Sequence, residues 1–255
     1  MILMKSSSST SAVTEGQVKN FRRLMTDANE KMVGVVLAKI DKDGMDRLLR
    51  RGNEMSKATL EAGISKAREL SFAYGDQVSG WVAFYKKHFN RELDLTSLMI
   101  PDHQEGFDRL LVVDKDLTRN KAYHACEKQF PCSSYRDDLD NAIRPDERDP
   151  KNGTYAIWVR DRQEADQENK DQSWNRRREQ KCQDENILER ILHELKYFDE
   201  TGKHLDIDNW TLTSSLSVDG SAVSAGWIYG EFCVYWSGPD DHGDDLRPRS
   251  VVSSS

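Results

Sequence analysis

The stretch Trp210-Thr-Leu-Thr-Ser-Ser-Leu-Ser-Val-Asp-Gly-Ser-Ala-Val-Ser-Ala-Gly-Trp-Ile-Tyr-Gly-Glu-Phe-Cys-Val-Tyr-Trp236 decides the fold. It holds three strand-like runs, 210–218, 222–229 and 231–236, separated by two short turn signals. Asp219-Gly220 is a strong hairpin dipeptide, because a type I′ turn needs φ > 0 at both central positions. Tyr229-Gly230 is a second, weaker signal. The spacing predicts a three-stranded antiparallel meander. Just upstream, Ile187, Leu188, Ile191, Leu192, Leu195 and Phe198 recur at helical spacing. Asp184 is placed to cap that helix and Gly202 to end it. Residues 154–160 follow Gly153 and predict a further strand. Strand, helix and meander together predict an α+β fold, its C-terminal antiparallel sheet packed on the amphipathic helix.

Working outward, residues 14–135 read as a mainly helical region. Thr14-Glu15-Gly16-Gln17 has the capping-box pattern. Apolar residues from Met45 to Leu70 mark a long amphipathic helix, and Val78 to Phe89 a short one. Leu110-Leu111-Val112-Val113 looks like a buried strand, and Leu117 to Phe130 like a helix stopped by Pro131. Arg136–Pro150 is charged, contains two prolines and is the best linker, leaving 151–238 as an α+β domain. Asp161–Glu185 is dense in charge and reads as a solvated helix or loop. The serine-rich start, 1–13, reads as a disordered tail, and the acidic, serine-rich end, 239–255, as a mobile one.

Composition narrows the class. The chain has 255 residues, 32% of them Asp, Glu, Lys or Arg, against about 25% in an ordinary domain. A formal net charge of -7 argues against non-specific nucleic-acid binding, which needs a basic excess to neutralise phosphates. No stretch approaches the roughly 20 apolar residues of a membrane span. The start, Met1-Ile-Leu-Met-Lys5, is too short for a signal-peptide apolar region, and the four cysteines form no CxxC pair. A cytoplasmic protein with free thiols is expected. P-loop, GxGxxG, GxSxG and HExxH motifs are all missing from the sequence.

Several constellations can carry chemistry. Lys203-His204-Leu205-Asp206-Ile207-Asp208 sits just past the predicted helix end. His204 and Asp206 are two apart, so an extended chain would put them on one face, as an acid/base pair with Asp208 or part of a metal site. Asp102 and His103 would supply a second arm, and with His204 would hold a divalent metal. The plainer reading is polar turns. Trp174 with Arg176, Arg177 and Arg178 is the one basic cluster containing an aromatic residue, and could contact RNA; acidic neighbours favour a solvated face. His124 and Cys126 do not share a helix face. His193 falls nearly opposite the apolar stripe and is expected to face solvent beside Glu189.

Trp158-Val-Arg-Asp161, Glu164-Ala-Asp166, Leu188-Glu-Arg190 through Tyr197-Phe198, Glu200-Thr-Gly-Lys-His-Leu-Asp206 and Phe107-Asp-Arg109 resemble an uncharacterised family of bacterial proteins common in environmental and candidate-phylum genomes. The resemblance spans roughly the second half of the chain. It implies a bacterial origin and supplies no mechanism. That family carries a Cys and an Arg just after the Thr211-Leu212 position, where this chain has Thr213, Ser214 and Ser215. Three functions remain: a non-catalytic cytoplasmic interaction or accessory protein with a protein partner, a metal-dependent hydrolase using His204 and Asp206, and a local RNA contact.

Overall fold

A computed structural model describes residues 77–95 and 98–254. The tail read over 1–13 and the helices read over 14–70 lie outside those residues. Helix α1 covers 77–89 and buries Trp81, Phe84 and Tyr85. Its side chains pin the edge of the first sheet: Trp81 Nε1 donates to the carbonyl of Leu110 and Tyr85 Oη to that of Val112, both at 2.9 Å. These are strand carbonyls that an edge would otherwise leave unpaired. The strand is β1 (Arg109–Val113), antiparallel to β3 (Tyr155–Val159), which is in turn antiparallel to β8 (Val251–Ser253). Leu110 to Val113 are buried on both faces, which is why they read as an unbroken apolar run.

The second sheet has five strands in the order β2-β6-β5-β4-β7. Its centre is the expected meander, β4 (Trp210–Leu216), β5 (Ala222–Ile228) and β6 (Glu231–Ser237). Two short parallel strands, β2 (Cys132–Ser134) and β7 (Leu246–Pro248), complete its edges. At the β5–β6 turn, Tyr229 and Gly230 both have positive φ, 53° and 87°, the requirement of a type I′ hairpin; at the β4–β5 hairpin only Gly220 does, with φ 92°, so Asp219-Gly220 turns the chain without forming a type I′ pair. The α+β class therefore holds.

Helix α2 (Arg119–Glu127) packs on the long helix α5 (Ile187–Thr201), which touches strands of both sheets; α3 (Leu139–Ala142) and α4 (Trp174–Glu179) are short. Gly202 ends α5 in the left-handed conformation, as expected. The N-cap is Asn186, in a full capping box with Glu189, and not Asp184, which pairs with Arg177 instead. Helix α5 packs on α2, β1, β4 and β5. Because partners surround it, its polar side is buried too, and His193 is fully buried where solvent was expected.

Three other expectations change. The segment 136–150 is no linker: it contains α3, and the amide of Arg144 donates to the carbonyl of Leu216 at 2.8 Å. The charged stretch 161–185 buries Asp166, Arg177 and Asp184. The C-terminal segment is no loose tail, since β7 and β8 close the two sheets and Arg249 between them is buried. As β1, β3 and β8 share one sheet, Asp76–Ser255 is one compact unit.

Candidate functional site

The Lys203–Asp208 motif does build a constellation, but a closed one. Asp206 has φ 53°, so the chain turns there and the same-face rule for extended residues two apart does not apply. The Asp206 carboxylate accepts from Arg190 Nε at 3.0 Å, Arg249 Nη2 at 2.5 Å and Thr211 Oγ1 at 2.5 Å. Arg190 reaches on to Glu194 at 2.9 Å, and Glu194 to His204 Nδ1 at 2.9 Å. Arg249 also donates to the carbonyls of Arg162 and Gln163. Burial opposes ionisation of Asp206, but Arg249 and Arg190 together outweigh it and hold the carboxyl below its ordinary value. Asp206 is fully enclosed and serves the fold.

The His204 ring meets this network through Glu194, and its carbonyl accepts from the Gln163 side chain. Its ring is stacked between Trp227 at 3.3 Å and Phe198 at 4.8 Å, with Phe130 edge-on at 5.0 Å. Asp208 is exposed, and its backbone amide donates to Glu164. His103 instead pairs with Asp108 at 2.9 Å, and Asp102 is exposed. Among the described residues, no three His, Cys, Asp or Glu side chains converge as metal ligands would. The proposed catalytic and metal residues are thus not brought together.

The basic cluster is dispersed as well. Successive helix residues diverge by about 100°, and the three arginines of α4 point three ways. Arg177 is buried, its guanidinium held by Asp184 at 3.0 and 2.5 Å and by Asn169 and Ser250. Arg178 donates to the carbonyl of Cys182 and lies 5.7 Å over the Trp174 ring. Trp174 donates its indole N–H to the carbonyl of Ser214 at 3.0 Å, and Arg176 is exposed. Cys126 is buried against the carbonyl of Ile191, and burial pushes its thiol well above the ordinary value, while His124 faces outward. They form no nucleophile–base pair.

The strongest site was not marked by any motif. A cleft of about 680 Å³ opens between the N-terminus of α2, α3 and the segment 143–151. That volume falls in the range of small-molecule sites, about 300–1,000 Å³. Six basic side chains line it, Arg91, Lys115, Arg119, Lys121, Arg148 and Lys151, against four carboxylates, Asp116, Asp140, Asp146 and Asp149. Each carboxylate already has an internal partner. Asp116 pairs with Arg91 at 2.8 Å, and Asp140 accepts the amide of Arg119 at 2.9 Å. Asp149 caps the turn at Lys151. Asp146 accepts from Arg119 Nη2 and Ser215 Oγ, both at 2.7 Å. Burial pushes the Asp146 carboxyl up, against the opposing pull of Arg119 and Ser215.

Among the cations, Arg148 is clamped bidentately on Glu189 at 2.7 and 2.8 Å, beside Tyr155 Oη at 3.0 Å from the same carboxylate. Lys121 reaches only the carbonyl of Asp116. The ammonium groups of Lys115 and Lys151 make no hydrogen bond or ion pair among the described residues. The cleft is therefore locally cationic in an acidic chain, with six basic side chains against four carboxylates.

Comparison with family models, with curated proteins and with solved structures finds no match to any of the three.

Proposed function

We propose that this protein is a non-catalytic binding or accessory protein whose 680 Å³ cleft captures a small ligand bearing a phosphate or carboxylate group. Lys115 and Lys151 carry this reading, since their ammonium charges face a cleft whose carboxylates are already partnered. An anion entering there would be drawn by these charges, and salt should weaken its binding. Arg119 and Arg148, both held by internal carboxylates, fix the wall the ligand would meet. The four free thiols accord with a cytoplasmic setting, and no helix among the described residues is long and apolar enough to cross a membrane. The resemblance noted above adds a bacterial origin to this reading.

Calorimetric titration with inorganic phosphate, then with a panel of phosphorylated and carboxylated metabolites, tests the proposal. Saturable binding that weakens with salt and is lost in the Lys115→Gln/Lys151→Gln double variant is expected. Binding that the double variant retains at full strength refutes it.

A further inference from the structure

A second cavity, of about 190 Å³, adjoins the cleft. Segment 144–148, helix α4, Gln183 and Asn186, and the β4 residues Ser214 and Leu216 line it. Pro145, Asp146 and Arg148 line both cavities, so this short segment is their common wall. The volume is below the roughly 300–1,000 Å³ of a site for a whole small molecule. It suits one functional group of a ligand whose body lies elsewhere, and the larger cleft beside it can hold a body.

The side chains around this cavity set the chemistry of that group. Three guanidinium groups line it, those of Arg144, Arg148 and Arg178, with two carboxylates, Asp146 and Glu147. Arg148 is spent on Glu189, Gln183 and the carbonyl of Asp184. Asp146 is spent on Arg119 and Ser215. Arg144 makes no ion pair among the described residues, and its Nη2 donates to the carbonyl of Val218 at 3.2 Å. Arg178 Nη2 donates to the carbonyl of Cys182 at 3.0 Å. The Glu147 carboxylate is 77% exposed and 3.7 Å from Arg178 Nη1, too far for a hydrogen bond. Asp184 is 4.0 Å from Arg178 and is held by Arg177. Arg178 Nε is buried and has no hydrogen-bond partner among the described residues. A buried charged donor without an acceptor is costly, and an anion in this cavity would supply one. A cationic or apolar group would not. The guanidinium fork matches the paired oxygens of a carboxylate or phosphate.

We infer, resting on the anion-binding reading of the cleft, that its ligand carries two anionic groups: one met by Lys115 and Lys151, the other by Arg144 and Arg178 across the 145–148 wall. The second group is then delivered intramolecularly, which raises affinity beyond that of either group alone. Calorimetric titration of the full chain tests this with alkanes of graded length that bear a phosphonate at one end or at both. At a matching chain length the bisphosphonate should bind about tenfold more tightly than the monophosphonate. The Arg144→Gln/Arg178→Gln variant should lose that advantage, keep the monophosphonate affinity and melt as the parent does. Should it melt early, Arg144→Gln alone supplies the same comparison. The Lys115→Gln/Lys151→Gln variant should weaken both ligands. Extra charge alone would favour bisphosphonates at every chain length and in the arginine variants too. That result, or equal affinity of the two ligand types in the parent, would overturn the two-group inference and leave anion binding by the cleft intact. Absence of monophosphonate binding to the parent would instead remove the reading of the cleft, and this inference with it.

Discussion

Two arginine-rich regions of this molecule use the same side chains to opposite ends. Around α5, Arg190 and Arg249 are buried with Asp206 and Glu194, and each charge is answered by another at hydrogen-bond distance. Around the α2 N-terminus, Arg119 and Arg148 are answered by Asp146 and Glu189, but Lys115 and Lys151 beside them are not. Burial is what separates the two. A fully buried charge without a partner costs several kcal/mol, so a closed network must balance. A solvated cleft can carry a surplus at small cost, because water and salt screen it. Imbalance at an accessible place is therefore the better indicator of a ligand site.

The contrast predicts a steep ranking of substitutions. Asp206→Asn leaves Arg190 and Arg249 buried without their shared counter-charge. It should lower unfolding free energy by roughly 3–5 kcal/mol, the usual cost of breaking a buried pair from one side, as read from urea denaturation. A loss below about 1 kcal/mol would mean that the network is not the closed unit described.

Next in size is a pH effect from the same interior. Glu185 pairs with His193 at 2.8 Å, and Glu185 Oε2 and His193 Nε2 have no hydrogen-bond partner among the described residues. Burial pushes the Glu185 carboxyl up from 4.5 to about 7. A raised carboxyl means that the folded state holds the proton more tightly, so this group's contribution to stability falls as pH rises from about 4.5 to about 7. His193, its imidazole held well below its ordinary value chiefly by burial, opposes this slope, since its contribution to stability is lost as pH falls. Asp206 runs the other way: its depressed carboxyl adds stability above its unfolded value and loses it as pH falls through the folded one. Glu185→Gln should remove the first slope and leave the second, in denaturation profiles taken from pH 4 to 8. An unchanged slope in the variant would disprove the assignment.

Legibility in the sequence follows the same division. The meander, both hairpins and α5 could be read because their signals are local: strand runs, turn dipeptides and a 3.6-residue stripe. The polar side of α5 is not legible, because periodicity tells which face is apolar, not whether the other face meets water, and here packed elements surround the helix. Strands β7 and β8 have three residues each, too few for any alternation to register among acidic and serine residues. The spacing of His204 and Asp206 marks them as a pair, but the left-handed turn at Asp206 separates them. The cleft was invisible for a different reason. Its cations come from positions scattered between 91 and 151, and a local positive surplus does not show in a chain of net charge -7.

Arg148 belongs to both regions and gives the intermediate case. Its guanidinium bridges Glu189, which is buried, while its stem lines the cleft. Lysine keeps the charge but not the fork. Arg148→Lys should lose the bidentate contact and the link to the carbonyl of Asp184, lowering stability by about 1–2 kcal/mol. Thermal unfolding measures this directly, and no shift in melting temperature would imply that Glu189 is satisfied by its capping role alone.

The smallest expected effect on stability is the most informative about function. Lys115→Gln and Lys151→Gln remove ammonium groups that make no hydrogen bond or ion pair among the described residues, so the double variant should lie within about 0.5 kcal/mol of the parent. It should even gain slightly at low salt, since like charges in the cleft no longer repel. Any anion bound there should lose roughly 1–3 kcal/mol of affinity, the worth of charge-assisted hydrogen bonds. Stability and binding are thus expected to separate in this one variant, whereas Asp206→Asn should lower stability without touching the cleft. If the double variant instead unfolds early, the two lysines hold the structure together and the cleft's surplus charge is not free to meet a ligand.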